Sequence, residues 1–234
     1  MCPLAQANLS YMKLILNSFF VFLFVFCLPV FGIEINKKYT VRVSGITIGS
    51  LDWSVKITDS RYLNKINLKS RGLLSTIYSF EGEYFSEGSV KNKNLYPSKY
   101  SHVWKTNKKT KSMVLVFRDN SLISLNQLPF EKEHLRIDVF KIKESKDPLT
   151  SFLQIIMGEK NSLVVDGRRK YKMNSIIDDD IKKTIVEISD YYNLWADHKR
   201  SKFEKIDFEK KIGDLLPNKI NIYFDGRVFR LHQD

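Results

Sequence analysis

The sequence predicts an all-β, mainly antiparallel domain: a single strongly curved sheet or open β-barrel of about ten strands, with one helix packed at its mouth. Apolar and polar residues alternate with a period of two through most of the chain after residue 32, as in a sheet with one buried and one solvated face. A single convincing segment has helical spacing instead, and no linker or internal repeat divides the chain. A two-sheet sandwich is the alternative arrangement of the same strands.

The first half of the domain is predicted to form successive antiparallel strands. Residues 39–43 and 51–57 alternate strictly, and the segment from Gly45 to Gly49 makes a tight connection between them, so the two runs predict a hairpin. Similar runs predict further strands over 62–68, 82–90, 96–104, 113–117 and 122–125, and a strand fragment over 135–140 within a charged, irregular segment at 129–146.

A helix is predicted to follow. Asp147 can cap it, Pro148 suits its first turn and Gly158 ends it. The apolar stripe of this helix consists of Leu149, Phe152, Leu153, Ile156 and Met157.

The second half returns to the strand pattern. Asp225-Gly226 is a preferred two-residue turn and joins the runs 220–224 and 228–231 into a closing hairpin. The basic segments 105–111 and 197–211 are predicted to be solvated hairpin tips or loops, the second of them a local elaboration. Further strands are predicted over 162–165, 169–173, 181–189 and 191–196.

The N-terminal residues 1–32 have the layout of a secretory signal peptide. Met12-Lys13 precedes an apolar run, which is followed by Pro29 and by a cleavage position after Gly32. The residues before Met12 are interpreted as a start-site artefact. We therefore expect export to the periplasm. The alternative is an uncleaved inner-membrane anchor, although the apolar run is at the lower edge of the length that spans a bilayer.

Cleavage would leave a single domain over residues 33–234 that contains neither of the cysteines, Cys2 and Cys27. The mature chain would then have no disulfide, no thiol nucleophile and no cysteine-ligated metal. Its stability would depend on an ordinary hydrophobic core, which about two hundred residues can supply.

The formal charge of +12 favours anionic envelope surfaces as partners. A general drift toward lysine at surface positions is the alternative explanation. Nucleic acid is excluded as an expected partner, because no helix-turn-helix, RNP or zinc-finger pattern is present.

Several landmarks, in this order, resemble DUF3108, a family of exported bacterial proteins of unknown function. The resemblance spans about Tyr39 to Leu231 and implies a periplasmic, β-rich protein of Gram-negative bacteria, with no catalytic residue to carry over. The landmarks are the segment from Tyr39 to Gly49, Gly72-Leu73-Leu74, Tyr84, Gly88, Pro97, Asp147-Pro148-Leu149 and the segment from Asp166 to Tyr171.

The segment Asp166-Gly167-Arg168-Arg169 is the most informative polar cluster. Asp-Gly is a turn signal, and adjacent arginines in the following strand point to opposite faces. One of Arg168 and Arg169 could therefore face a cavity and hold a phosphate or carboxylate. The alternative is structural: Asp166 pairs with one arginine and fixes the turn.

Aromatic residues supply the other candidate binding surface. Period two places Tyr96, Tyr100 and Trp104 on one face of a strand, and their polar tips suit the mouth of a lipid or glycan pocket. Trp53 is expected to contribute to the same lining, and Phe152 and Leu153 would face an apolar cavity beneath the helix. Core packing is the alternative role of all these side chains.

No catalytic set is recognisable, so the protein is expected not to be an enzyme. The four histidines have no metal-ligand spacing, no serine lies in a nucleophile elbow, and no cofactor motif is present. Two functions remain: a carrier that holds a lipid or another amphipathic ligand inside the sheet, and an envelope interaction module that docks a protein or glycan through its surface. A hydrolase of envelope polymers is a distant third, and the sequence does not indicate the oligomeric state.

Overall fold

The computed structural model describes residues 32–72, 75, 79–178, 183–195 and 202–234. The predicted signal peptide, with both cysteines, lies outside the described residues apart from Gly32, and so does the start of the basic segment 197–211.

Fourteen strands in the described part of the chain form one sheet, which confirms the all-β class and corrects the expected number of about ten. The first seven are β1 (Gly32–Val43), β2 (Ile46–Thr58), β3 (Arg61–Ser70), β4 (Phe80–Lys91), β5 (Asn94–Thr106), β6 (Thr110–Arg118) and β7 (Ser121–Leu128). The others are β8 (Ser145–Lys146), β9 (Asn161–Val165), β10 (Arg169–Asp178), β11 (Lys183–Asn193), β12 (Phe203–Glu209), β13 (Lys219–Phe224) and β14 (Arg227–Gln233).

The sheet curves into a nearly closed barrel. Its order is β7-β6-β5-β4-β3-β2-β1-β14-β13-β12-β11-β10-β9-β8, and the pairs are antiparallel except that of β8 with β9. The two ends of the sheet approach each other where the backbone N–H of Ser145, in β8, donates to the carbonyl of Asn120, in the turn after β6, at 3.2 Å. Because all the strands follow one continuous order, the sandwich alternative is wrong.

Three strand predictions are corrected. The basic segment 197–211 is more than a loop, because Phe203–Glu209 forms β12 between β11 and β13. The runs 181–189 and 191–196 are not two strands: β11 continues from Lys183 through a bulge near Asp190 to Asn193, and Leu194 and Trp195 follow it. Residues 135–140 form no strand; Val139–Lys141, at the end of this range, is a short 3-10 helix instead.

The first hairpin turns earlier than predicted. Ser44 and Gly45 both have positive φ, 49° and 82°, and make a two-residue turn whose twist matches the strands. Gly49 therefore lies inside β2, where an added Cβ would come within 2.6 Å of the Lys69 carbonyl oxygen.

Helix α1 (Pro148–Ile156) packs on the concave side of the sheet, as its sequence pattern predicts. The side chain of Asp147 caps it by accepting the N–H groups of Leu149 and Thr150, each at 2.9 Å. Seven of the nine helical residues are buried. This is more than one apolar stripe would bury, so the helix is enclosed by the barrel on most sides.

The first core cluster surrounds α1. Phe152 stacks on Trp53, with ring centroids 5.9 Å apart, and Leu153 is fully buried beside them. At the C-terminal end of the helix, Lys210 donates to the carbonyl of Ile156 at 3.0 Å. Leu216, from the same connection between β12 and β13, is also fully buried in this cluster.

A second core cluster closes the gap between the ends of the sheet. Met113 and Leu115 of β6 meet Val165, which precedes the turn into β10, and Leu194, which follows β11. Apolar packing, rather than a continuous ladder of hydrogen bonds, therefore closes most of the barrel.

Candidate functional site

A cleft of about 840 Å³ opens on the side of the barrel where α1 begins, next to Pro148. It brings together four of the seven residues predicted to bind a ligand: Tyr100 and Trp104 of β5, Arg168 of the turn after β9, and Arg169 at the start of β10. The other lining residues are Tyr84, His102, Thr106, Lys109, Lys111, Ser112, Met113, Pro148, Asp166, Lys202 and Phe224.

One wall of the cleft is aromatic. The hydroxyl of Tyr100 lies 3.1 Å from Nδ1 of His102, and the ring of Tyr84 lies 5.6 Å from the imidazole. Trp104 stacks on Phe80 with ring centroids 5.4 Å apart. These ring contacts hold Tyr100, His102 and Trp104 in fixed positions along β5.

Tyr96 does not join this wall, which corrects the predicted shared face. The register between β4 and β5 shifts so that Gly88 faces Pro97 while Glu87 faces Lys99, leaving Ser98 as a bulge. The extra residue reverses the alternation, so Leu95 is fully buried and Tyr96 lies on the opposite face from Tyr100. Period two alone does not reveal such a bulge.

The opposite wall is the turn that carries both arginines. The Asp166 side chain accepts the backbone N–H groups of Arg168 at 2.8 Å and Arg169 at 2.7 Å. The carbonyl of Gly167 accepts the indole N–H of Trp195 at 2.9 Å, and the carbonyl of Arg168 accepts the N–H of Leu194 at 2.8 Å. The backbone that presents Arg168 is therefore fixed from two sides.

Glycine is favoured at position 167 of this turn. Its φ is +86°, and an added Cβ would lie 2.5 Å from the sulfur of Met113. The turn from β9 thus packs directly on β6 across the gap in the barrel.

The two arginines differ in their partners. Arg169 pairs with Asp166 at 3.8 Å and lies 5.8 Å from the ring centroid of Tyr191. It is therefore the arginine to which the structural alternative applies, in which Asp166 pairs with one arginine at the turn. Among the described residues, the Arg168 guanidinium has neither an ion-pair partner nor a hydrogen-bond acceptor. Arg168 is therefore the arginine that the protein leaves available to a ligand.

The cleft carries excess positive charge. Lys109 and Lys111 make no ion pair with any residue that the structure describes, whereas Lys202 pairs with Asp225 at 2.6 Å. The one carboxylate in the lining, Asp166, already accepts the turn amides. The predicted solvated tip at 105–111 therefore contributes Lys109 and Lys111 to a cavity, which its composition alone did not indicate.

The pKa values in the cleft reflect this crowding. Burial, with a smaller effect of nearby Arg168, lowers the pKa of His102 to about 4, so its imidazole is neutral at pH 7. The pKa of Lys111 is lowered by burial first and then by the charges of Arg168 and Lys109. Burial raises the pKa of Tyr84 to about 12.

An apolar compartment of about 260 Å³ adjoins the cleft. Both cavities are bounded by Asp166, Arg169 and Phe224, so these residues mark the border between them. The other lining residues come from β10, β11 and β12: Tyr171, Met173, Val186, Ile188, Tyr191, Phe203 and Ile206. Sequence analysis missed this compartment because it did not predict β12, although the alternation of Ile206 and Phe208 with charged residues was a usable signal.

Trp53, Phe152 and Leu153, the other predicted ligand-binding residues, belong to the first core cluster. The Trp53 indole donates to Asn64 at 2.8 Å, and the side chain of Leu153 is fully buried. Core side chains therefore fill the space beneath α1 where the sequence analysis expected a cavity, and these three residues lie outside both cavities.

A third groove of about 700 Å³ presents mixed charge. Arg61 and Arg118 share its lining with Glu87 and Asp119. Among the described residues, no group of histidine, cysteine, aspartate and glutamate side chains could hold a metal ion. No helix in the described ranges is long and apolar enough to cross a membrane.

Comparison with known protein families identifies the chain. The sequence model of the family described as "Protein of unknown function (DUF3108)" matches residues 38–183, more than half of the sequence. The chain belongs to the DUF3108 family. This confirms the resemblance noted in the sequence, although the matched range ends at the start of β11 instead of continuing to Leu231.

A solved structure is also similar to this DUF3108 protein. It is the crystal structure of a β-barrel-like protein of the domain of unknown function DUF1849 from Brucella abortus. The two chains share 11% sequence identity with a TM-score of 0.47, and the similarity covers 86% of this chain and 96% of the other. A search of curated proteins found no significant match.

Proposed function

We propose that this protein is a non-enzymatic binding protein of the periplasm that holds a lipid or another amphipathic ligand. The observation that supports this function is the border between two unlike cavities. An apolar compartment within the barrel adjoins a polar, positively charged cleft, and Arg169 lines both. A ligand with one apolar and one polar end would place both ends in matching surroundings.

The apolar compartment suits an acyl chain or a similar group. Met173, Val186 and Ile188 provide aliphatic contacts, while Phe203 and Phe224 provide ring faces. Binding sites for small ligands are commonly mostly apolar with a few placed polar groups. Each methylene removed from water there would contribute about 0.8 kcal/mol before the entropic cost of binding.

The proposed location follows from the signal-peptide pattern of residues 1–32. The net charge of +12 is consistent with work beside anionic lipid headgroups. Lipid would be abundant in the membranes that border the periplasm.

The second candidate function, an envelope interaction module, is favoured by a different observation. Phe130, which follows β7, is 76% exposed, and Ile177, near the end of β10, is 71% exposed. Large exposed apolar side chains of this kind can anchor a protein partner.

Native mass spectrometry of protein purified from periplasm without detergent tests the binding function first. We expect a reproducible lipid mass, together with saturable binding of a neutral naphthylamine dye that the lipid displaces. Ile188→Trp should fill the compartment and reduce dye binding about tenfold or more. Ile123→Trp is the matched control, because Ile123 is 44% exposed on β7 and is not part of the compartment lining.

An apo mass combined with no saturable dye binding would overturn the binding function. Equal loss of binding in Ile188→Trp and Ile123→Trp would also contradict it. Capture of a defined envelope protein or glycan that depends on Phe130, in protein without bound lipid, would favour the interaction module instead.

A further inference from the structure

We propose that the cleft recognises a phosphomonoester, with Arg168 as its main contact and Lys109 and Lys111 beside it. This inference rests on the proposed function and adds the chemistry of the ligand's polar end. The apolar compartment would hold the attached chain, and the phosphate would lie on the other side of the border formed by Arg169 and Phe224.

The first argument is the lack of counter-charge. Three cationic side chains line one concave surface, and none of them has a carboxylate partner among the described residues. By contrast, Lys202 at the same cleft is paired with Asp225, and Lys37, Lys172, Lys183 and Lys219 form ion pairs elsewhere on the barrel. Like charges held together in a partly desolvated site favour binding of an anion.

The second argument is proximity. Arg168, His102 and Lys111 line the same cleft. In keeping with this, the pKa values of His102 and Lys111 are lowered by burial first and by the charge of Arg168 second. His102 itself is neutral at pH 7, and the positive charge therefore comes from Arg168 and the lysines. An anion between them would relieve their mutual repulsion.

The third argument is preorganisation. The Asp166 side chain accepts the backbone N–H of Arg168, and the carbonyl of Arg168 accepts the backbone N–H of Leu194. The backbone of Arg168 is therefore fixed before a ligand arrives. A fixed turn avoids the backbone part of the entropic cost of binding, and a guanidinium can bind two oxygens of one group.

The number of cations favours phosphate over carboxylate. A carboxylate carries one charge and two oxygens, which would leave most of the cationic charge of Arg168, Lys109 and Lys111 uncompensated. A phosphomonoester carries about −1.5 to −2 charges at pH 7 and three acceptor oxygens, enough to contact all three side chains. Choline-type headgroups should bind less well, because their quaternary amine would meet the same cations.

The test compares monoacyl lipids that share one chain and differ in the headgroup: lysophosphatidic acid, the corresponding fatty acid, lysophosphatidylcholine and monoacylglycerol. Displacement of the neutral dye is measured below the micelle concentration at two salt concentrations. We expect lysophosphatidic acid to bind about tenfold or more tightly than monoacylglycerol, and this preference to shrink at high salt.

Arg168→Gln and Lys111→Gln are the test variants. Each should reduce the preference for lysophosphatidic acid, by about tenfold for Arg168→Gln, while leaving monoacylglycerol binding and the melting temperature unchanged. Arg118→Gln is the matched control, because it removes the same charge from the third groove, outside the cleft.

The outcomes separate the two proposals. Equal binding of all four lipids, or an unchanged preference in Arg168→Gln, would overturn the phosphomonoester inference and leave the lipid-binding function standing. Failure of every lipid and of the dye would overturn both. Inorganic phosphate is the arm without a chain: if it binds as tightly as lysophosphatidic acid, the source of the anion is free phosphate and the lipid headgroup is ruled out.

Discussion

Two polar regions of this barrel, both next to the start of α1, have opposite designs. Around Asp147 the buried polar groups satisfy one another: its carboxylate accepts the Ser86 hydroxyl at 3.0 Å, and the hydroxyl of Tyr62 lies 2.6 Å from that of Thr150. In the cleft, Arg168, Lys109 and Lys111 have no carboxylate partner among the residues that the structure describes. The first region therefore stabilises the fold by internal pairing, whereas the second has the unpaired positive charge on which the anion-binding proposal rests.

The same contrast divides the aromatic residues. Trp53 is 2% exposed, stacks on Phe152 and donates to Asn64, so every part of its side chain has a partner. Trp104 stacks on Phe80 and keeps part of its surface open to the cleft. One tryptophan supports the core, while the other is placed where a ligand can reach it.

The largest expected effect tests this division of the tryptophans. Trp53→Ala should lower the free energy of unfolding by about 3–5 kcal/mol, because it leaves a cavity and removes the partner of Asn64. Trp104→Ala should cost about 1–2 kcal/mol, since it loses one stacking partner at a half-open position. Chemical denaturation measures the unfolding free energy of both variants. Similar losses in the two would contradict the assignment of Trp53 to the core and Trp104 to the cleft.

A second experiment breaks the polar network at the helix cap. Asp147→Ala should destabilise the fold by about 2–3 kcal/mol, because buried donors of α1 and the Ser86 hydroxyl lose their acceptor. Asp138→Ala is the control. Asp138 caps the exposed 3-10 helix through the Phe140 N–H, and its removal should cost less than about 1 kcal/mol. Equal losses of unfolding free energy in the two variants would show that burial of the capping residue adds nothing to stability.

The turn that positions Arg168 gives a third test. Gly167→Ala should cost about 1–3 kcal/mol, because it combines a positive φ with a clash against Met113. Gly226→Ala should cost only about 1 kcal/mol, since its φ is +69° but no atom lies within 4 Å of the added Cβ. Adding Met113→Ala to Gly167→Ala should make the two changes less than additive, and strict additivity would argue against the clash.

The smallest expected effect is a pH dependence from His102. Its folded pKa of about 4 lies below the ordinary value, so the folded state favours the neutral ring. The stability it contributes is complete above about pH 6.5 and is lost as the pH falls toward 4. His102→Gln should flatten the difference in unfolding free energy between pH 7 and 4.5, and an unchanged slope would show that His102 is not its source.

The sequence by itself determined the fold class, the helix with its Asp147 cap, most strands and the family. These features follow from local periodicity and capping, which neighbouring residues specify. Four of the seven proposed ligand-binding residues also share one cleft: Tyr100 and Trp104 have the same parity on β5, and Arg168 and Arg169 follow the Asp-Gly turn.

Only the tertiary structure decided which side chains are core and which border a cavity. Trp53 and Trp104 have similar strand contexts, and their different roles depend on whether α1 or open space faces them across the barrel. The bulge at Ser98 and the unpredicted strand β12 likewise depend on partner strands that are distant in sequence. Burial and charge pairing are set by closure of the sheet, which brings Arg168 and Lys111 together from positions more than fifty residues apart.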